Sequence, residues 1–147
     1  RLDDFRALFG DEQQDYFGAL ARHHQEGPPE DWRKTYVSAY ASCHPWEDWA
    51  ETWALYLHMV DAIDTAVAEG VKLRNSGQSL WLFRHRPFDA YAEGSYDDII
   101  RRWVPLTLAM NSINRSLGNP DFYPFVIPAA AHRKLSFVHD VLRAGVS

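Results

Sequence analysis

A single cysteine, Cys43, stands in 147 residues. That excludes a disulfide framework or a Cys-rich zinc finger built within the chain, and it points to a reducing, cytoplasmic setting. No apolar run approaches the roughly 20 residues needed to span a bilayer, so no membrane partner is expected. Lys and Arg form no stripe along any predicted helix and the net charge is −5. A phosphate backbone is neutralised by clustered cations, so nucleic acid is excluded as a partner as well. Sustained period-two alternation, internal repeats and low-complexity tracts are all missing. Neither Lys nor Arg occurs between Lys34 and Lys72, a gap of 37 residues (35 through 71) that carries six acids. No signal peptide is visible, and a chain beginning with Arg1 is expected to be a piece of a longer protein.

What is present is apolar and aromatic: 46% hydrophobic residues and 14% Phe, Trp and Tyr, enough for a packed core. Three of the six tryptophans fall in SCHPWEDWAETWALYLHMVDAID, residues 42–64. Pro45 suits the first position of a helix, where its missing N–H would be unpaired anyway. From there Trp46, Trp49, Ala50, Trp53, Leu57, Val60 and Val67 recur at three- and four-residue steps, which predicts one apolar helix face. The helix should span about 45–69 and stop at Gly70.

Around it the chain reads as all-α, a single domain of five or six helices over 1–147. Leu2, Phe5, Leu8 and Phe9 give a short helix closed by Gly10. Asp11 should cap a second, with Tyr16, Phe17, Leu20 and His24 inward, broken at Gly27-Pro28-Pro29. A third is expected from Glu30 or Asp31 through Trp32, Tyr36, Ala39 and Tyr40. Residues 71–95 are irregular, long enough for a functional loop. Ser95 caps a helix with Asp97 and Asp98 in its first turn and Pro105 inside it. Pro128 opens the last helix, with Leu135, Val138 and Leu142 inward.

The chemistry-bearing residues admit two readings. Glu47 and Asp48, in a first turn, suit the positive end of a helix, and Glu51 one turn on can be an ordinary surface acid. The tryptophans around them imply burial, however, and a buried carboxylate needs a cation. With no Lys or Arg on this helix, a metal or the Arg84–Arg86 region must supply it. His44 and Asp48 have metal-compatible i, i+4 spacing, although His44 falls at the helix cap. His58 lies on the same line as Glu47 and Glu51, almost three turns from the first. His23 and His24 point to different faces, and His85, His132 and His139 suit packing or surface roles. Cys43 lacks a neighbouring base, so it is not read as a nucleophile.

HPWEDWAETWALYLH, with SAYAS before it, FRALFGDE near the start and MNSINRSLGNPDFYPFVI after it, resembles the zinc-binding metallopeptidase family of bacteria (Peptidase_Mx type). The likeness covers essentially the whole chain. Members carry an HExxH helix, often behind a zinc ribbon, and this sequence contains neither, so the chain corresponds to the C-terminal portion of a catalytic domain. Glu47-Asp48-Trp49-Ala50-Glu51 is similar to the ExxA(D/E) signature of gluzincins. The resemblance implies zinc as cofactor, a peptide or protein substrate, Glu47 as the third zinc ligand and Glu51 as acceptor for a ligating histidine. It makes Tyr40, His58 and Tyr123 candidates for the group that stabilises the oxyanion. Where relatives often have a histidine, on the same stripe as Glu51, this chain has Leu55. Alone, it should neither hold catalytic zinc tightly nor cleave peptides. The competing reading is a non-catalytic helical protein-binding module whose acids meet Arg84, Arg86 or Arg101. A di-iron carboxylate site is disfavoured because no ExxH pair occurs.

Overall fold

The structure, a computed structural model, describes residues 1–71, 95–123 and 126–145. Among these residues it is all-α: α1 (Leu2–Phe9), α2 (Tyr16–Glu26), α3 (Pro45–Ala68), α4 (Tyr96–Ser116) and α5 (Ala129–Ala144), with 3-10 turns at Trp32–Lys34 and Tyr40–Ser42. Two compact units result, Arg1–Tyr56 with Ile127–Ser147, and Leu57–Val126. The expected central helix is α3, shared between them. The irregular loop and its Arg84, His85 and Arg86 lie outside the described residues. No helix among the described residues is long and apolar enough to cross a membrane.

In the first unit α1 packs on α5. Phe9 sits at the centre, its ring 5.2 Å edge-on from Trp49 and 6.2 Å from Phe137. Gly10 ends α1 at a φ of 97°, a left-handed conformation that favours glycine. Arg6 and Glu12 pair beyond that turn at 2.5 Å, and the guanidinium holds the Glu12 carboxyl down to about 2. The second helix begins at Tyr16 instead of Asp11. Phe17, expected inside, is 80% exposed.

The expected third helix does not form; only the two 3-10 turns do. The reason lies in competing hydrogen bonds. Lys134 Nζ takes the Thr35 carbonyl at 3.1 Å, and Ser38 Oγ accepts from the Ala41 N–H at 3.0 Å. Both divert backbone groups that a continuous helix would pair internally.

The second unit contains α4, whose N-terminus is closed by the Asp98 carboxylate accepting from the Ser95 N–H at 3.1 Å. Ile99, Trp103 and Leu106 of α4 are buried, as are Met59, Val60 and Ile63 of α3. The connector after α4 is held by side chains of MNSINRS. Asn111 accepts from the Phe122 N–H at 2.9 Å and donates to the Tyr123 carbonyl at 2.8 Å. Asn114 donates to the Pro120 carbonyl, and Arg115 pairs with Asp121 at 3.0 Å. A fully buried Asn thus does the work of a strand partner for two residues of loop. Asn111→Ala leaves those backbone groups without it and should cost about 1–3 kcal/mol in urea unfolding; a change within about 0.5 kcal/mol, ordinary for a surface position, would show the clamp is not structural.

Candidate metal centre

The start of α3 turns a different face inward from the one its tryptophans suggest. Trp46 is 53% exposed, and Leu57 is exposed as well. The buried positions are Pro45, Asp48, Thr52, Leu55, Tyr56, Met59, Val60, Ile63 and Ala66, which also recur at helical steps and include Val60 of the expected face. Trp49 and Trp53 lie at the border of this stripe. The tryptophan spacing predicted a face, but a polar residue decided which one is inside.

That residue is Asp48. Its side chain is 1% exposed and its Oδ2 lies 2.6 Å from Nζ of Lys134, itself 2% exposed. Lys134 comes from α5, 86 residues away, and also rests over the Tyr36 ring at 4.3 Å. The counter-charge expected from a metal or from Arg84–Arg86 is, for Asp48, a buried lysine. One signal for it existed: Lys134 falls on the same helical stripe as Ala131, Leu135 and Val138, all buried.

His44 is also spoken for. Its Nδ1 accepts from the Trp46 N–H at 3.1 Å, and its Nε2 faces the Gln14 carbonyl at 3.1 Å, so Nε2 carries the proton and donates. With its one lone pair used to cap α3, no nitrogen is left for a metal. The i, i+4 pair of His44 and Asp48 is therefore a cap and an ion pair.

Glu47 and Glu51 lie together to one side of the buried stripe. Both are half-buried. Neither forms an ion pair among the described residues, and Arg101 is paired with Asp98. Glu47 Oε1 instead accepts a short hydrogen bond from the Tyr16 hydroxyl at 2.5 Å. That bond, with desolvation behind it, raises the Tyr16 phenol above its usual range. Tyr40 lies beside both groups, its phenol raised by desolvation first and by the Glu47 charge second. Cys43 is raised by the same two causes, which keeps its thiol protonated. Around Tyr16 stand His44 at 5.2 Å and Trp46 at 5.6 Å, an aromatic wall on one side of the carboxylate.

A zinc centre takes three protein ligands and keeps one position open. Among the described residues no three His, Cys, Asp or Glu side chains gather to hold a metal. The donor set that fits is partial: Glu47, with one oxygen bound to Tyr16 and the other free of any such bond.

In the second unit, the Tyr123 hydroxyl lies 2.7 Å from Nδ1 of the exposed His58. The Tyr123 ring is steadied edge-on by buried Trp103 at 5.2 Å, and desolvation raises its phenol. Leu55 is buried.

Burial pushes the Asp48 carboxyl up to about 6, against the opposing pull of Lys134 and Thr52. A value above the ordinary 3.8 means that the stability Asp48 contributes is present below about pH 4 and is lost as pH rises through about 6. Without Lys134 the carboxyl must climb further, and only its neutral form tolerates burial. Lys134→Met should therefore cost about 3–5 kcal/mol at pH 8 and clearly less at pH 5. Urea unfolding at the two pH values checks this; equal losses at both would mean that the ion pair is not what Lys134 provides.

Comparison with known proteins adds the following. Residues 1–141 match the model of a family described as "Putative zinc-binding metallo-peptidase" (Peptidase_Mx). Uncharacterized proteins of Mycobacterium bovis and of two strains of Mycobacterium tuberculosis are each 45% identical to the chain over 143 residues. Those residues are 96% of this chain and 39% of each relative, so the chain spans about two-fifths of the curated relatives it matches. No solved structure matches. With the family model covering nearly the whole chain, the protein belongs to this zinc-binding metallopeptidase family.

Proposed function

We propose that the chain is the C-terminal portion of a metallopeptidase catalytic domain and takes part in zinc-dependent hydrolysis of peptide bonds. In this reading Glu47 gives the third protein ligand, and an HExxH helix outside these 147 residues gives the other two and the catalytic glutamate. The observation that supports it is the state of Glu47. It is a half-buried carboxylate at the start of α3, with no cation beside it among the described residues and one oxygen already anchored by a phenol. A buried charge needs a partner, and the water-shielded side of Glu47 holds a phenol in place of a cation.

Glu47 would hold one face of a zinc ion, which when bound would supply Lewis-acid chemistry for hydrolysis of the scissile peptide bond. The chain's own groups do the rest. Glu51, one turn beyond Glu47, accepts the outer ring N–H of a ligating histidine and fixes its tautomer. Tyr40, beside Glu47, keeps its proton at neutral pH and is a candidate donor to a developing oxyanion; Tyr123, in the second unit, is a candidate on the resemblance alone. His58 is the third candidate for that role, held through its Nδ1 by Tyr123. The substrate is a peptide or protein, and the lone cysteine favours a cytoplasmic setting.

The full-length gene product and the 147-residue chain, each supplied with zinc, should differ. The first should bind zinc one to one and cleave an unstructured protein substrate; the second should do neither. Glu47→Gln in the full-length protein should abolish both properties. Stoichiometric zinc and undiminished cleavage in that variant would overturn the assignment of Glu47.

A further inference from the structure

Tyr16 is a residue for which the family resemblance implied no role. On sequence it is an inward-facing aromatic of α2; in the structure its hydroxyl donates to Glu47 Oε1 at 2.5 Å, with the Tyr40 hydroxyl close to both groups. The two residues are 31 apart in sequence and on different helices, so the bond is not a local accident of one helix. The ring that carries the hydroxyl is itself held. It packs edge-on against His44, whose imidazole is pinned by hydrogen bonds at both nitrogens, and it lies against Trp46 at the start of α3. Phe17 follows it on α2, ring centroids 5.6 Å apart. A fixed phenol thus meets a carboxylate through an O–H···O bond of the short, charge-assisted kind.

Two consequences follow for a carboxylate that must ligate a metal. Its rotation about the terminal torsion, broad in a free Glu, is restricted to the orientation that keeps Oε1 on the phenol. With Oε1 so engaged, Oε2 is the oxygen left to a cation, which favours one-oxygen coordination over a chelating carboxylate. The group nearest in kind, Tyr40, borders the same carboxylate without a hydrogen bond of comparable length, and Glu51 shows no such anchor among the described residues. The asymmetry between Glu47 and Glu51 is therefore built by Tyr16.

We propose that Tyr16 is a positioning residue for zinc, orienting Glu47 as a one-oxygen ligand by donating its phenolic hydrogen to the other oxygen. This rests on the reading of Glu47 as a zinc ligand given above. Tyr16 acts only through Glu47 and touches neither metal nor substrate.

The test uses the full-length gene product and measures zinc affinity by competition with a chromophoric chelator, together with thermal unfolding of the zinc-free protein. Outer partners of metal ligands are worth about 10–100-fold in affinity. Tyr16→Phe, which keeps the ring and loses the hydroxyl, should weaken zinc by about that factor and lower the zinc-free unfolding midpoint by no more than the few degrees one lost hydrogen bond costs. In a Glu47→Gln background the same substitution should add nothing, since the carboxylate it orients is gone. Wild-type affinity in Tyr16→Phe, with zinc lost in Glu47→Gln, would overturn the role of Tyr16 alone. A Tyr16→Phe protein whose zinc-free form unfolds at a markedly lower temperature would make the bond a fold tie and overturn the proposal. Undiminished zinc in Glu47→Gln would remove the reading beneath it as well.

Discussion

One buried ion pair decides how the start of α3 is rotated. Asp48 and Lys134 exclude water from each other almost completely, and a charge so placed is destabilised by several kcal/mol unless its partner stays. The helix must therefore turn Asp48 inward, whatever its tryptophans would gain. Residues one place before and three after, Glu47 and Glu51, are then carried round to a shared outer side. The same lysine draws off the Thr35 carbonyl, which is why the segment before α3 folds as separate 3-10 turns. Such pairs add little net stability compared with apolar packing, but they permit few alternative registers.

This explains which parts of the fold were legible. Helices whose limits are set by local chemistry came through: Pro45 opens α3, Ser95 with Asp98 opens α4, and Gly10 closes α1. The all-α character followed from the lack of alternation. Where the outcome depends on a partner far away in sequence, periodicity misled. Trp46 and Phe17 look like core residues by type and spacing, yet both are exposed, because the inward positions belong to Asp48 and to Ala19. Glu30 to Tyr40 has helical spacing, yet two hydrogen bonds from elsewhere prevent the helix.

The site was legible to a similar depth. Three acids at the start of a helix with no Lys or Arg of its own required an outside cation, and for Asp48 that cation is Lys134. For Glu47 the structure supplies a phenol in place of a charge. A phenol satisfies one oxygen without neutralising the group, which leaves the carboxylate still able to take a metal. Tyr123 illustrates the reverse case. Its side chain is placed by a clamp of Asn111, Asn114 and Arg115 on backbone and Asp121, and no rule of spacing links those three residues to a tyrosine in the loop beyond.

The proposed zinc reading meets the geometry at Glu47, and the account stands or falls there. The most direct measurement is a crystal structure of the zinc-loaded full-length protein, with the metal located by anomalous scattering at the zinc edge. The account predicts zinc about 2.0–2.2 Å from one Glu47 oxygen, with the other still receiving the Tyr16 hydroxyl. Zinc bound at a site that leaves both Glu47 oxygens uncoordinated would contradict it.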